Sequence, residues 1–157
     1  MNIGIIVYSR TKHTLSVAMQ LKKALSAAGH AVNLEQVEIF EPDKPGVAVV
    51  QLKTRPETAP YDGLVFASPV RGGAMPPAMS SYLEQITSLQ GKKVVCLVTH
   101  FFPPEWGANQ TLNQMKEICE SKGATIYGSG EVGWPRMGLK RRIADVVDSL
   151  SRMIEET

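Results

Sequence analysis

The feature that most constrains the fold is an unbroken apolar run at residues 3–8 (IGIIVY) that gives way at once to Ser9-Arg10-Thr11-Lys12-His13-Thr14. A strand with one wet face alternates apolar and polar residues, whereas a strand buried on both faces does not. The run is short and rich in β-branched residues, which favours such a strand over a buried helix segment. It therefore calls for a packed layer on each side. One candidate layer follows directly: Leu15, Ala18, Met19, Leu21 and Leu25 recur at helical spacing, and Gly29 stops them.

The alternation then repeats. Strands are expected at residues 31–39, 64–67, 93–99 and 124–127, and helices at 78–89 (begun by Pro76-Pro77), 110–121 (ended by Gly123) and 139–154. Residues 41–61 carry Pro42, Pro45, Pro56 and Pro60, so that stretch reads as a loop with at most one short element around 47–52. Five strands alternating with helices predict a parallel sheet covered on both faces, and residues 1–157 read as one domain. No repeat, low-complexity tract or dividing linker interrupts the pattern.

Bulk properties narrow the function. A net charge of +2 is too small to argue for nucleic acid or an anionic membrane. No apolar stretch suits a bilayer span, and the start lacks the pattern of a secretory signal. Cys96 and Cys119 form neither a disulfide framework nor a metal pattern, so a reducing cytoplasm is the expected compartment.

In an open parallel sheet ligands bind beyond the carboxyl ends of the strands, near the point where strand order switches. The loops after the first, third and fourth strands are therefore the informative ones. The first has hydroxyls at Ser9, Thr11 and Thr14 and runs from a buried strand into a helix, whose free N–H groups and dipole attract an anion. Arg10, Lys12 and His13 could neutralise that anion, or face solvent; a lone N-cap would explain one hydroxyl, not three. The second loop, Ser68-Pro69-Val70-Arg71-Gly72-Gly73, is stiffened by proline, and its paired glycines let backbone approach a flat ligand. The third, Thr99-His100-Phe101-Phe102-Pro103-Pro104-Glu105-Trp106, gathers aromatics that either cover a planar ring or cap the core beneath.

These three segments, in this order, resemble the flavodoxin family. Ser9-x-Thr11-x-x-Thr14 matches that family's phosphate-loop pattern, Ser68-Pro69-Val70-x-Gly72 its second flavin loop, and Thr99 with the loop after it the third. The resemblance implies a flavodoxin-like three-layer fold with strand order 2-1-3-4-5 and one non-covalent FMN. It further implies phosphate contacts from Ser9, Arg10, Thr11, His13 (through its backbone) and Thr14. Pro69, Val70, Arg71, Gly72 and Gly73 would border one edge of the ring, and Thr99, His100, Phe101 and Phe102 the other side. Arg71 stands where relatives often place a stacking aromatic, and the chain is slightly basic where electron carriers are acidic.

Three functions stay open on the sequence. One is electron transfer through the flavin to a redox partner protein or small-molecule acceptor; another is an NAD(P)H-dependent FMN or quinone-type reductase. The third is a non-catalytic module that binds a phosphorylated ligand or a protein. The short chain without a nicotinamide module leans towards the carrier, and the basic balance leans the other way. No general acid, base or metal ligand is expected. The run Gly128-Ser129-Gly130-Glu131-Val132-Gly133 spells G-x-G-x-x-G, but it follows the last strand and reads as a turn. Lys140-Arg141-Arg142 reads as the wet face of the last helix, His30 as exposed, and both cysteines as packing residues.

Overall fold

The structure, a computed structural model, describes residues 1–40, 50–134 and 137–155. Five strands, β1 (Asn2–Val7), β2 (Ala31–Gln36), β3 (Gly63–Pro69), β4 (Lys93–His100) and β5 (Thr125–Gly133), form one parallel sheet of order β2-β1-β3-β4-β5. The helices are α1 (His13–Ala27), α2 (Pro77–Gln85), α3 (Ala108–Ser121) and α4 (Leu139–Glu155), with one 3₁₀ turn at Pro104–Trp106. The expected sheet order and three-layer arrangement are both present.

Adjacent residues in the central strands feed opposite layers, as the two-residue period of a strand requires. Ile5, Val65 and Val95 pack with Val17, Leu21 and Leu25 of α1 and with Ile143, Val147 and Leu150 of α4. Their neighbours Ile6, Phe66 and Cys96 pack with Met79, Tyr82 and Leu83 of α2 and with Leu112, Met115 and Cys119 of α3. Burying each large aliphatic side chain contributes about 1.5–3 kcal/mol, so the two-sided apolar run at β1 stabilises two cores at once.

Three boundaries differ from the sequence expectations for identifiable reasons. The second strand stops at Gln36 because β1 ends at Val7; Val37 makes one last bond to the Val7 carbonyl (2.8 Å). Ile39 then bridges Leu52 in antiparallel fashion, which is what remains of the element expected around 47–52 among the described residues. The second helix stops at Gln85 rather than 89, where β-branched Ile86 turns extended (φ −65°, ψ 128°) and Leu89 is buried by a loop instead.

The largest correction concerns residues 128–133. They are not a turn but the second half of β5, which pairs with β4 from Val95 to His100 after a bulge at Tyr127. Strand propensity is low there, and packing supplies the reason for the glycines. A Cβ at Gly130 would lie 3.0 Å from Val146 Cγ1, and one at Gly128 2.3 Å from Met153 Sδ, so α4 rides close over a strand stripped of side chains. Two polar expectations also change. Arg142 folds back to donate to the Gly133 carbonyl (2.9 Å), and His30 is held by Glu155 (3.1 Å) instead of standing free.

Gly4 in β1 provides a test of the packing. A Cβ there would fall 2.5 Å from the Tyr61 ring, which is itself buried and hydrogen-bonded to Glu35 (2.5 Å). Gly4→Ala should therefore lower the unfolding free energy by about 1–3 kcal/mol in urea titration. An unchanged midpoint would show that Tyr61 moves aside freely.

Candidate functional site

Parallel pairing brings the carboxyl ends of β1, β3 and β4 to one edge of the sheet, and the three loops identified in the sequence meet there. The first loop enters α1 through Lys12, a non-glycine residue in the left-handed region (φ 69°, ψ 0°). That conformation costs roughly 1–2 kcal/mol and marks a loop whose shape is dictated by its surroundings. The first-turn N–H groups of α1 that follow it have no intrahelical carbonyl to meet.

The hydroxyls divide their duties. Ser9 Oγ accepts from the Leu15 N–H (3.2 Å), which secures the turn. Thr14 is buried, and its hydroxyl meets that of Thr99 at 2.7 Å, tying the first loop to the end of β4. Thr11 is exposed, with Oγ1 3.4 Å from His13 Nδ1, and Arg10 and Lys12 are exposed beside it. The groups presented to an incoming anion are therefore the helix N–H groups, Thr11, Arg10 and Lys12. The His13 imidazole is engaged elsewhere: it stacks on Trp134 (4.6 Å, 13°) and meets Phe101 at a tilt (5.3 Å).

The second loop is a tight reversal. Arg71 and Ala74 exchange both backbone bonds (2.8 and 3.1 Å) across Gly72 (φ 58°) and Gly73 (φ 77°). Two successive positive φ values are those of a type I′ turn, so the turn itself demands both glycines. Val70 N–H donates to the Thr99 carbonyl (3.0 Å), which fastens this loop to the third. Gly107, at φ 126°, closes the junction from the other side: a Cβ there would lie 2.8 Å from the Gly73 carbonyl and from Val70 Cγ1.

Between these loops lies a cavity of about 250 Å³ lined by Val70, Gly72, Gly73, His100, Phe101, Phe102 and Trp106. Pockets that enclose a whole drug-sized ligand run to roughly 300–1,000 Å³, so this one suits part of a ligand whose remainder extends outward. Phe101, Phe102 and Trp106 are 54%, 65% and 64% exposed and form the rim; they do not cap the core. Of the residues the sequence assigned to a ring, Val70, Gly72, Gly73, His100, Phe101 and Phe102 line the cavity. Pro69, Arg71 and Thr99 are not among its lining residues, and Thr99 instead carries the bond to Thr14.

His100 is buried, as the last residue of β4 rather than part of the third loop. Its Nδ1 lies 2.5 Å from the Phe102 carbonyl oxygen, and its Nε2 meets the Glu131 carboxylate. Glu131 and Trp134 escape the sequence pattern, because residues 128–133 read as a turn on their glycines alone. A sequence signal existed in the alternating glycines, which fit a strand under a close helix.

Other sites fit an anionic or redox ligand less well. A cavity of about 640 Å³ beside β2 carries Glu35, Glu38 and Glu57 against Arg55 alone, a balance of the wrong sign for a phosphate. Cys96 is fully buried, and the hydrogen bond its thiol donates to Cys119, together with burial, pushes that thiol well up, away from thiolate chemistry. Among the described residues no cluster of ligating side chains could hold a metal ion, and no helix is long and apolar enough to cross a membrane.

Comparison with known proteins agrees with the fold. The family model described as NADPH-dependent FMN reductase matches residues 1–137. Among solved structures, oxidised flavodoxin 2 from Bacillus cereus superposes with a TM-score of 0.73 at 21% identity, covering 98% of this chain and 97% of that one. Flavodoxin 1 from the same organism gives 0.72 at 13% identity, covering 100% and 99%. A flavoprotein in complex with FMN from Lactobacillus acidophilus NCFM gives 0.64 at 16% identity, covering 83% and 92%. At these identities the likeness is one of fold. No curated protein sequence matches.

The junction of the second and third loops can be probed directly. Gly107→Ala should cost about 1–3 kcal/mol of stability and displace the amide resonances of Gly72 and Gly73. Unmoved resonances would mean that the two loops do not bear on one another.

Proposed function

The chain belongs to the NADPH-dependent FMN reductase family, and on that premise we propose that it takes electrons from a reduced nicotinamide through FMN and delivers them to a small-molecule acceptor. FMN is its cofactor. The observation that carries the reading is the partial cavity between the second and third loops, set against an anion-ready helix terminus. Together they suit a ligand with a planar end and a charged end.

The residues fit such a ligand. Exposed Thr11, Arg10 and Lys12 and the α1 N-terminus would hold the phosphate, with His13 contributing its backbone while its ring braces Trp134. Val70, Gly72 and Gly73 would border one edge of the ring, and His100, Phe101 and Phe102 the other side. Thr99 fastens that wall by accepting from the Val70 N–H, and Arg71 closes the glycine turn with Ala74. Bound FMN supplies reversible electron and hydride chemistry. The protein's part is to orient the ring, keep it partly dry and leave one face open. The exposed aromatic rim offers an apolar ledge on which a second planar molecule can stack.

A second reading, a carrier of electrons to a partner protein, is supported by the full-length likeness to flavodoxins. The slightly basic composition of the chain favours the reductase. Mixing the FMN-loaded protein with NADPH without oxygen separates the two. Bleaching of the flavin without any added protein is expected; an unchanged spectrum with NADPH and NADH alike would leave the carrier.

The placement of the phosphate is tested by substitution. Thr11→Ala should weaken FMN by about tenfold while leaving riboflavin unchanged, because it removes one charge-assisted bond to the phosphate and otherwise only a long, exposed contact with His13. Thr14→Ala should weaken both ligands, since its hydroxyl holds Thr99 rather than an anion. Equal losses for FMN and riboflavin in Thr11→Ala would place the phosphate elsewhere.

A further inference from the structure

His100 has a hydrogen-bond arrangement that cannot be satisfied without a proton. A carbonyl oxygen only accepts, so the Phe102 carbonyl 2.5 Å from Nδ1 requires a hydrogen on Nδ1. Nε2 then faces the Glu131 carboxylate. An imidazole lone pair and a carboxylate oxygen attract only when a proton lies between them, carried either by Nε2 as an ion pair or by the carboxyl group. With no proton, two acceptors confront one another. The His100 side chain is 4% exposed and cannot turn to water for relief, whereas Glu131 is 37% exposed and can exchange its proton with solvent.

The position of this pair gives it leverage. His100 lines the ring cavity on one side and, on the other, a second cavity of about 260 Å³ lined also by Glu131, Arg142 and Asp145. Its Nδ1 bond reaches Phe102, one of the residues that form the cavity wall. Its own carbonyl accepts from Trp134 (2.6 Å), the residue that stacks on His13. Among the described residues, the charged groups that line this second cavity with the pair are Arg142 and Asp145, both from α4; Arg142 is fixed on the Gly133 carbonyl (2.9 Å).

We propose that His100 and Glu131 form a proton-dependent clasp that positions the third loop, so that the fit of the flavin ring depends on one proton held between Nε2 and the Glu131 carboxylate. The pair are positioning residues, acting through Phe102 and its neighbours. The inference rests on the FMN reading above. Its sign is fixed by the geometry: the contact exists while the proton is bound and is lost as pH rises. Flavin affinity should fall with it.

Glu131→Gln isolates the effect. A glutamine amide can donate to a neutral Nε2 while Nδ1–H keeps its bond to Phe102, so the clasp closes without the proton. FMN dissociation constants are measured by fluorescence across pH for the wild type and for E131Q; the titration of the FMN phosphate is common to both and cancels in their ratio. The wild type should lose about tenfold more affinity than E131Q towards alkaline pH, one charge-assisted hydrogen bond's worth. In the protein without added flavin, ¹⁵N spectra of the His100 ring at alkaline pH should show hydrogen on Nδ1 in both proteins, with Nε2 hydrogen-bonded to the amide in E131Q and lacking a donor in the wild type. Parallel affinity profiles for the two proteins, or a His100 ring with Nδ1 bare, would overturn the clasp while leaving FMN binding intact. Failure to bind FMN at any pH would instead overturn the functional reading and the clasp's link to the ring.

Discussion

Parallel pairing of β1, β3 and β4 is the constraint from which the rest follows. It sends three carboxyl ends to one edge of the sheet, and the helices that return the chain cover both faces, α1 and α4 on one and α2 and α3 on the other. The helices bury both faces of the strands, which is why β1, β3 and β4 tolerate almost no polar residue along their length. The same geometry leaves their C-terminal loops as the place where polar residues can gather without a desolvation cost. Site and core are two consequences of one arrangement.

The three loops do not meet by proximity alone. Thr14 and Thr99, 85 residues apart, share a buried hydroxyl contact. Val70 bonds to the Thr99 carbonyl, Gly107 admits Gly73 without a side chain between them, and His13 stacks on Trp134. Each hydrogen bond contributes only about 0.5–1.5 kcal/mol net, but each buried partner left alone would cost more than that. The outcome is a wall built before a ligand arrives, which lowers the ordering cost of binding. At its rim the exposed aromatics lie against other rings, Phe101 against His13 and Phe102 against Trp106.

Much of this was legible in the residues. The two-sided runs at β1, β3 and β4 announce a covered parallel sheet, and the spaced hydroxyls at Ser9, Thr11 and Thr14 announce an anion site at a helix start. What residue type could not reveal was the division of labour among those hydroxyls, because a buried Thr14 and an exposed Thr11 look alike in a motif. Nor could local propensity find the second half of β5. Its glycines answer to α4 lying across them, a tertiary cause that overrides strand preference. Mistaking that strand for a turn hid Glu131, and with it the partner that gives His100 its place. Residues 41–49 lie outside the described structure, so half of the short element expected around 47–52 has no counterpart to compare.

The account stands on a charged group being held where β1 passes into α1. Phosphorus-31 NMR of FMN added to the protein reads that contact without reference to catalysis. A bound phosphate gripped as its dianion should give a resonance shifted from that of free FMN and unresponsive to pH through the region near 6 where a free phosphate monoester takes up its second proton. A bound-state resonance that titrates as free FMN does would mean the phosphate hangs in solvent, and the central claim would fall.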